Sequence, residues 1–158
     1  MEPDDNTVYD TIGAAESAGV ELSVAGSPIT NLNLSLNYAN LYKAEVTEDS
    51  DPKQIGTRLS GTCKHQASVW ARYNIGPLGI GSGINYVNGR PPLTPVTAGT
   101  EIELPNYWLY NAAIYYNLNG NLKLQLNIEN VLNKEYLSGM RPTQGAPRSY
   151  TFTATTRF

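Results

Sequence analysis

The amino-acid sequence predicts an all-β protein, an antiparallel transmembrane β-barrel segment of about seven strands. Three observations predict it. Apolar and polar residues alternate strictly along several stretches, and the connections between those stretches alternate between short and long. Most of the stretches run to about ten residues, close to the ~9–11 that cross a bilayer at a tilt.

The first stretch, GVELSVAG from Gly19 to Gly26, places Val20, Leu22 and Val24 opposite Glu21, Ser23 and Ala25. The second is the strictest. NLNLSLNY, Asn31 to Tyr38, puts Leu32, Leu34, Leu36 and Tyr38 on one face and Asn31, Asn33, Ser35 and Asn37 on the other. The third, His65 to Ile75, sets Ala67, Val69, Ala71, Tyr73 and Ile75 against Ser68, Trp70, Arg72 and Asn74. The fourth, Leu78 to Val87, sets Leu78, Ile80, Ile84 and Tyr86 against Gly79, Gly81 and Gly83. In the fifth, Tyr107 to Leu118, the greasier side is Trp108, Tyr110, Ala112, Ile114, Tyr116 and Leu118. Strict alternation returns at NLKLQLN and Ile128, where Leu122, Leu124, Leu126 and Ile128 oppose Lys123, Gln125, Asn127 and Glu129. The last stretch sets Tyr150, Phe152, Ala154, Thr156 and Phe158 against Ser149, Thr151, Thr153, Thr155 and Arg157.

SPIT (Ser27 to Thr30), GP (Gly76, Pro77) and NG (Asn119, Gly120) carry tight-turn chemistry. The intervening connections, roughly 47–63, 88–106 and 131–147, are long, polar and rich in Pro, Gly and Thr. Short turns at one rim and long loops at the other are the outer-membrane barrel arrangement.

Composition narrows the function. The chain has 158 residues, 16% of them charged and a net charge of −3, with no run near the ~18 apolar residues of a spanning helix. Eleven Lys and Arg form no basic stripe, which excludes a nucleic-acid binder. One Cys63 and one His65 can make neither an internal disulfide nor a tetrahedral zinc site. No nucleophile triad, carboxylate pair or phosphate cradle stands out, so an enzyme, a metal and a cofactor are not expected. GIGSG (Gly79 to Gly83) reads as a strand facing a close neighbour. Met1 to Asp10 carries four acidic residues and no apolar run, unlike a secretory leader.

A soluble antiparallel sheet alternates too. The lipid reading is favoured by strand length, by 11 Tyr against 2 Phe and 2 Trp with many near strand ends, and by a polar face mostly of Asn, Ser, Thr, Gln and Gly. Hydrocarbon offers backbone groups no partner but another strand, so such a sheet must close. Seven antiparallel strands cannot close on themselves, and further strands are expected N-terminal to these.

The chain from about Ala15 resembles TonB-dependent outer-membrane receptors of the ferric-siderophore group. The resemblance rests on AESAGVELSVAG, GTRLSGTCKHQASVWARYNI, LGIGSGINYVNGR, ELPNYWLYNAAIYY, LKLQLNIENVLNKEYL and GAPRSYTFTATTRF, in that order. NIENVLNKEY is similar to the family's asparagine-rich signature at the outer end of the penultimate strand. Asn130 and Asn133 there are expected to bond local backbone and stop the strand. Where relatives carry a Pro, this chain has Cys63.

The resemblance implies residues 1–14 as a loop-like N-terminal stretch and 15–158 as the C-terminal part of a barrel of about 22 strands. It implies a receptor importing ferric siderophore across a Gram-negative outer membrane, energised by the TonB complex through a plug that these residues do not contain. Arg90, Tyr107, Tyr136 and Arg141 are the candidate ligand contacts, the competing reading for each being a solvated loop or girdle residue. Tyr150, Phe152 and Phe158 resemble the signal read by the barrel-assembly machinery. The rival functions are a diffusion porin and a soluble β-sandwich binding module with a one-sided core.

Overall fold

The computed structural model of the chain describes residues 13–92, 103–139 and 143–157. Its strands are β1 (Ala14–Ile29), β2 (Leu32–Glu48), β3 (His65–Ile75), β4 (Leu78–Val87), β5 (Tyr107–Asn117), β6 (Leu122–Glu129), β7 (Leu137–Ser138), β8 (Thr143–Gln144) and β9 (Ser149–Thr156). β1 to β6 and β9 form one antiparallel sheet in chain order, while β7 and β8 pair with each other inside the connection from β6 to β9. All seven expected strands are present in one meander. The small β7–β8 hairpin is an addition, too short to show a period in the sequence.

The register explains the alternation. Directly opposed residues share a face, and Leu32 aligns with Tyr73, Tyr73 with Ile80, Ile80 with Ile114, Ile114 with Leu126 and Leu126 with Phe152. A second row runs Tyr38, Ala67, Tyr86, Trp108. One continuous apolar face therefore spans all seven strands, extended over β1 by Leu22 and Val24 opposite Tyr38 and Leu36. Ser82 interrupts it, and its hydroxyl donates to the carbonyl of Asn111 at 3.4 Å, so the polar group has a partner. The opposite face carries Asn37, Ser68 and Asn85 in one row and Asn127 and Thr151 in another.

The apolar face is not a protein core. Val20, Leu22 and Val24 are more than half exposed, and Phe152 is 67% exposed. Among the described residues no large side chain is fully buried, and the buried apolar ones are Ala44, Val46, Cys63, Leu104 and Ala113. A sandwich would cover such a face with a second sheet about 10 Å away. Here no second layer covers it among the described residues.

Of the tight turns, GP falls where the sequence places it, the first shifts from SPIT to Thr30 and Asn31 because Ser27 to Ile29 continue β1, and NG opens out. Gly76 takes a φ of +57° between the paired Ile75 and Leu78, a conformation open to glycine, and Asn31 takes +68° at the first turn. Asn119 and Gly120 do not form the two-residue turn with two positive φ values that NG favours. Instead the Asn119 carboxamide oxygen accepts from the N–H groups of Asn121 and Leu122, and the loop widens.

At the other rim β1 and β2 overrun their neighbours. β3 begins opposite Asn40, yet β2 continues to Glu48. Its outer half is flanked by the returning connection, with Val46 N–H donating to Thr57 O and Leu59 N–H to Ala44 O. Gly19 marks a bulge in β1, where a Cβ would lie 2.6 Å from the Asn40 carbonyl oxygen. On the overhang Lys43 pairs with Glu16 at 2.7 Å and with Glu45 at 3.4 Å; the Glu16 hydrogen bond is the main reason its pKa is raised.

Candidate functional site

The long-loop rim brings three of the four candidate contacts together. The connection from β4 to β5 is drawn closed by a two-residue bridge, Arg90 with Leu104. The Arg90 side chain then reaches across to the connection between β6 and β9, where Nη2 donates to the carbonyls of Leu137 at 3.1 Å and Gly139 at 3.3 Å. Its guanidinium carbon stands 5.8 Å from the centroid of Tyr107. Tyr107, at the first position of β5, packs on Tyr136 with ring centroids 4.5 Å apart.

Arg90 is only 4% exposed. It is neither a solvated loop residue nor a girdle residue. It clamps two outer loops, and its Nη1 has no hydrogen-bond partner among the described residues. Tyr107 and Tyr136 are half-buried and present ring faces, which suit stacking and cation contact. Gly145 seats Tyr136, since a Cβ there would fall 2.2 Å from the Tyr136 Cζ. Arg141 lies outside the described residues.

Beneath this rim an asparagine network that the sequence only partly announces fixes the loop. Asn130 is 4% exposed with φ at +50°. Its Nδ2 donates to the carbonyls of Lys134 and Ala146, its Oδ1 accepts from the Lys134 N–H, and its own N–H donates to Asn111 Oδ1. Asn133, also at φ +50°, accepts the Arg148 N–H. Both asparagines bond backbone and end β6, as their residue type and position predict. Asn111 is the member that sequence reasoning missed, because its partner is nineteen residues away.

On the polar face the glycines of β4 do face a close neighbour. A Cβ on Gly81 would lie 2.6 Å from the Trp70 indole, and one on Gly83 would lie 2.4 Å from it. The indole therefore lies flat on a glycine shelf. Next to it Arg72 stacks on Tyr115, 3.9 Å from the ring centroid, with Nε donating to Asn74 Oδ1 at 3.0 Å. Tyr150 and Phe152 project from the apolar face of the terminal strand, both more than 60% exposed. Phe158 lies outside the described residues. No group of three or more metal-ligating side chains occurs among the described residues.

Comparison with known proteins agrees with this geometry. Residues 2–131 match the family described as TonB dependent receptor-like, beta-barrel. The whole chain aligns at 28% identity with 22% of the catecholate siderophore receptor Fiu of Escherichia coli. It aligns over 82% of its length, at 32% identity, with 19% of the ferrioxamine B receptor of Salmonella typhimurium. Against the closed-form crystal structure of Fiu, the ferric-catecholate import receptor, the TM-score is 0.75 at 28% identity, covering 91% of this chain and 21% of that one. The siderophore receptor PiuA of Acinetobacter baumannii shares the fold, with a TM-score of 0.74 at 24% identity. The chain thus spans about a fifth of the length of these relatives. A seven-stranded sheet with an uncovered apolar face, a polar face opposite and outer loops held by an asparagine network is part of a larger barrel wall in the Gram-negative outer membrane, and the chain belongs to the TonB-dependent receptor family as a segment of its β-barrel.

Proposed function

We propose that these residues form the C-terminal wall of an outer-membrane receptor that takes up ferric siderophores, driven by the TonB complex. The observation that carries this reading is the continuous, solvent-exposed apolar face across all seven strands, which needs lipid to cover it. Relatives of matching sequence are named as receptors for catecholate siderophores and for ferrioxamine B. Residues 15–158 act as barrel, which Ala14 already joins as the first residue of β1; residues 1–12 of the N-terminal stretch lie outside the described residues. Tyr107 and Tyr136 offer ring faces toward the ferric siderophore, with Arg90 holding them and Arg141 close by in sequence. TonB contact falls to a plug outside these residues, and Tyr150, Phe152 and Phe158 are read by the barrel-assembly machinery.

The test is uptake of radiolabelled iron as catecholate or hydroxamate siderophore complexes in iron-starved cells with and without the gene, each in backgrounds with and without TonB. Uptake that requires both the gene and TonB supports the reading. Gene-dependent uptake that persists without TonB would make the barrel a diffusion porin.

A further inference from the structure

On the apolar face of the seven strands no Asp, Glu, Lys or Arg occurs, and the amide and imidazole side chains there gather at its outer edge. Past the aromatic row of Tyr38, Tyr86 and Trp108 comes a row of Asn40, His65 and Asn88. Asn40 is the register partner of His65, and the Asn88 N–H donates to the His65 carbonyl at 3.0 Å, so the three stand side by side across β2, β3 and the end of β4. Residues opposed in this way on one face have Cβ atoms about 4.5–5.5 Å apart.

Two hydroxyls of the aromatic row orient this polar row. The Tyr38 hydroxyl shares a hydrogen bond of 2.8 Å with His65 Nδ1, and the Tyr86 hydroxyl donates to Asn88 Oδ1 at 3.2 Å. That leaves Nε2 of His65 and Nδ2 of Asn88 over. With the phenol donating to a neutral imidazole or accepting from a charged one, Nε2 carries a proton in either state. Next on the same face of β2, Tyr42 stands 65% exposed beyond the row.

Depth and chemistry select what meets these donors. Tyr and Trp rings mark the level where hydrocarbon gives way to head groups, so a polar row one step beyond them lies among the head groups. A cationic head group would find rings but no carboxylate on this face. An oxyanion finds two neighbouring N–H donors and makes charge-assisted bonds with both, while the Tyr42 ring covers what lies past it.

We propose that Tyr38, Asn40, Tyr42, His65 and Asn88 form a site on the outside of the barrel wall for one phosphate-bearing lipid head group, held by His65 Nε2 and Asn88 Nδ2. The proposal rests on the apolar face meeting lipid and is independent of the cargo. To test it, the full receptor, stripped of lipid in a nonionic detergent, is titrated with phosphatidic acid or with diacylglycerol of the same chains, and one-lipid adducts are counted by native mass spectrometry. Phosphatidic acid should bind about tenfold more tightly than diacylglycerol, and His65→Leu with Asn88→Leu should remove that margin. Tyr38→Phe, which keeps the ring but frees His65, should give a smaller drop, and Tyr73→Phe, toward the short-turn end of the same face, none. Heat-dependent mobility in SDS gels shows that each variant is folded; should the double Leu variant not fold, Tyr38→Phe with Tyr86→Phe gives the same reading. Equal binding of the two lipids, or phosphatidic acid binding indifferent to these substitutions, overturns the head-group site and leaves the lipid face standing. No adduct with either lipid also overturns the site. Displacement of the lipid by an equal concentration of inorganic phosphate overturns its assignment to lipid, since the donors would then serve a free anion.

Discussion

The two rims of this sheet hold their shape by different means. At the short-turn rim, Asn31 and Gly76 sit at single turn positions and the Asn119 side chain bonds only to Asn121 and Leu122, so each turn is shaped locally, while bonds such as Asn74 N–H to Asn31 O continue the ladder between neighbouring hairpins. At the long-loop rim, Arg90 reaches Leu137 over forty-seven residues, Asn111 reaches Asn130 over nineteen, and Asn133 reaches Arg148 over fifteen. The first rim can form hairpin by hairpin. The second cannot be ordered until β4, β5, β6 and β9 are side by side, which makes it the later and less redundant part of the structure.

The comparison has consequences that substitutions can break or sharpen, beginning with the sheet that joins both rims. Val69→Arg puts a charge in the middle of β3 on the apolar face and should cost ~2–4 kcal/mol, while Ser68→Arg, one residue away on the wet face, should cost under ~1 kcal/mol. Urea titration of the receptor refolded in lipid vesicles measures both, and equal costs would mean that the face assignment is wrong. At the long rim, Asn130→Ala removes three hydrogen bonds between a buried side chain and the loop backbone and places Ala at a positive φ, for an expected loss of about 2–3 kcal/mol. Asn130→Gly relieves the φ but not the missing bonds, so it should recover only part of that loss.

Gly81→Ala pushes a methyl into Trp70 and should cost about 1–3 kcal/mol, shrinking when Trp70→Leu is present in the same chain. Unchanged cost in the double variant would show that the shelf serves something other than the indole. Smallest are the short-rim turns. Gly76→Ala forces a side chain onto a positive φ at about 1 kcal/mol, whereas Gly120→Ala, with open space around it, should stay within ~0.5 kcal/mol. A cost at Gly120 as large as that at Gly76 would contradict the wide loop seen there.

Period two was enough to locate the seven strands and to sort Leu32, Leu34 and Leu36 from Asn33, Ser35 and Asn37, because each face has its own solvent. The overrun of β1 and β2 was not visible. Ala39, Asn40 and Leu41 interrupt the alternation, and beyond them Ala44 and Val46 are covered by the returning chain. NG misled because its dipeptide preference was outweighed by the carboxamide of Asn119, whose oxygen accepts from the amides of Asn121 and Leu122. Arg90, Tyr107 and Tyr136 could be picked as rim residues, but their meeting depends on loop closure across strands. A one-dimensional pattern does not encode that closure.

The β1–β2 overrun also sets where foreign sequence can be tolerated. From Asn40 to Glu48 the ribbon climbs about 26 Å past the start of β3 at ~3.3 Å per residue. A short epitope spliced beside Pro52 would ride at the tip of that mast, past the last β1–β2 pair of Ala14 with Glu48. Antibody staining of intact cells would then report, from outside and without detergent, how many copies have been threaded into the envelope the right way up.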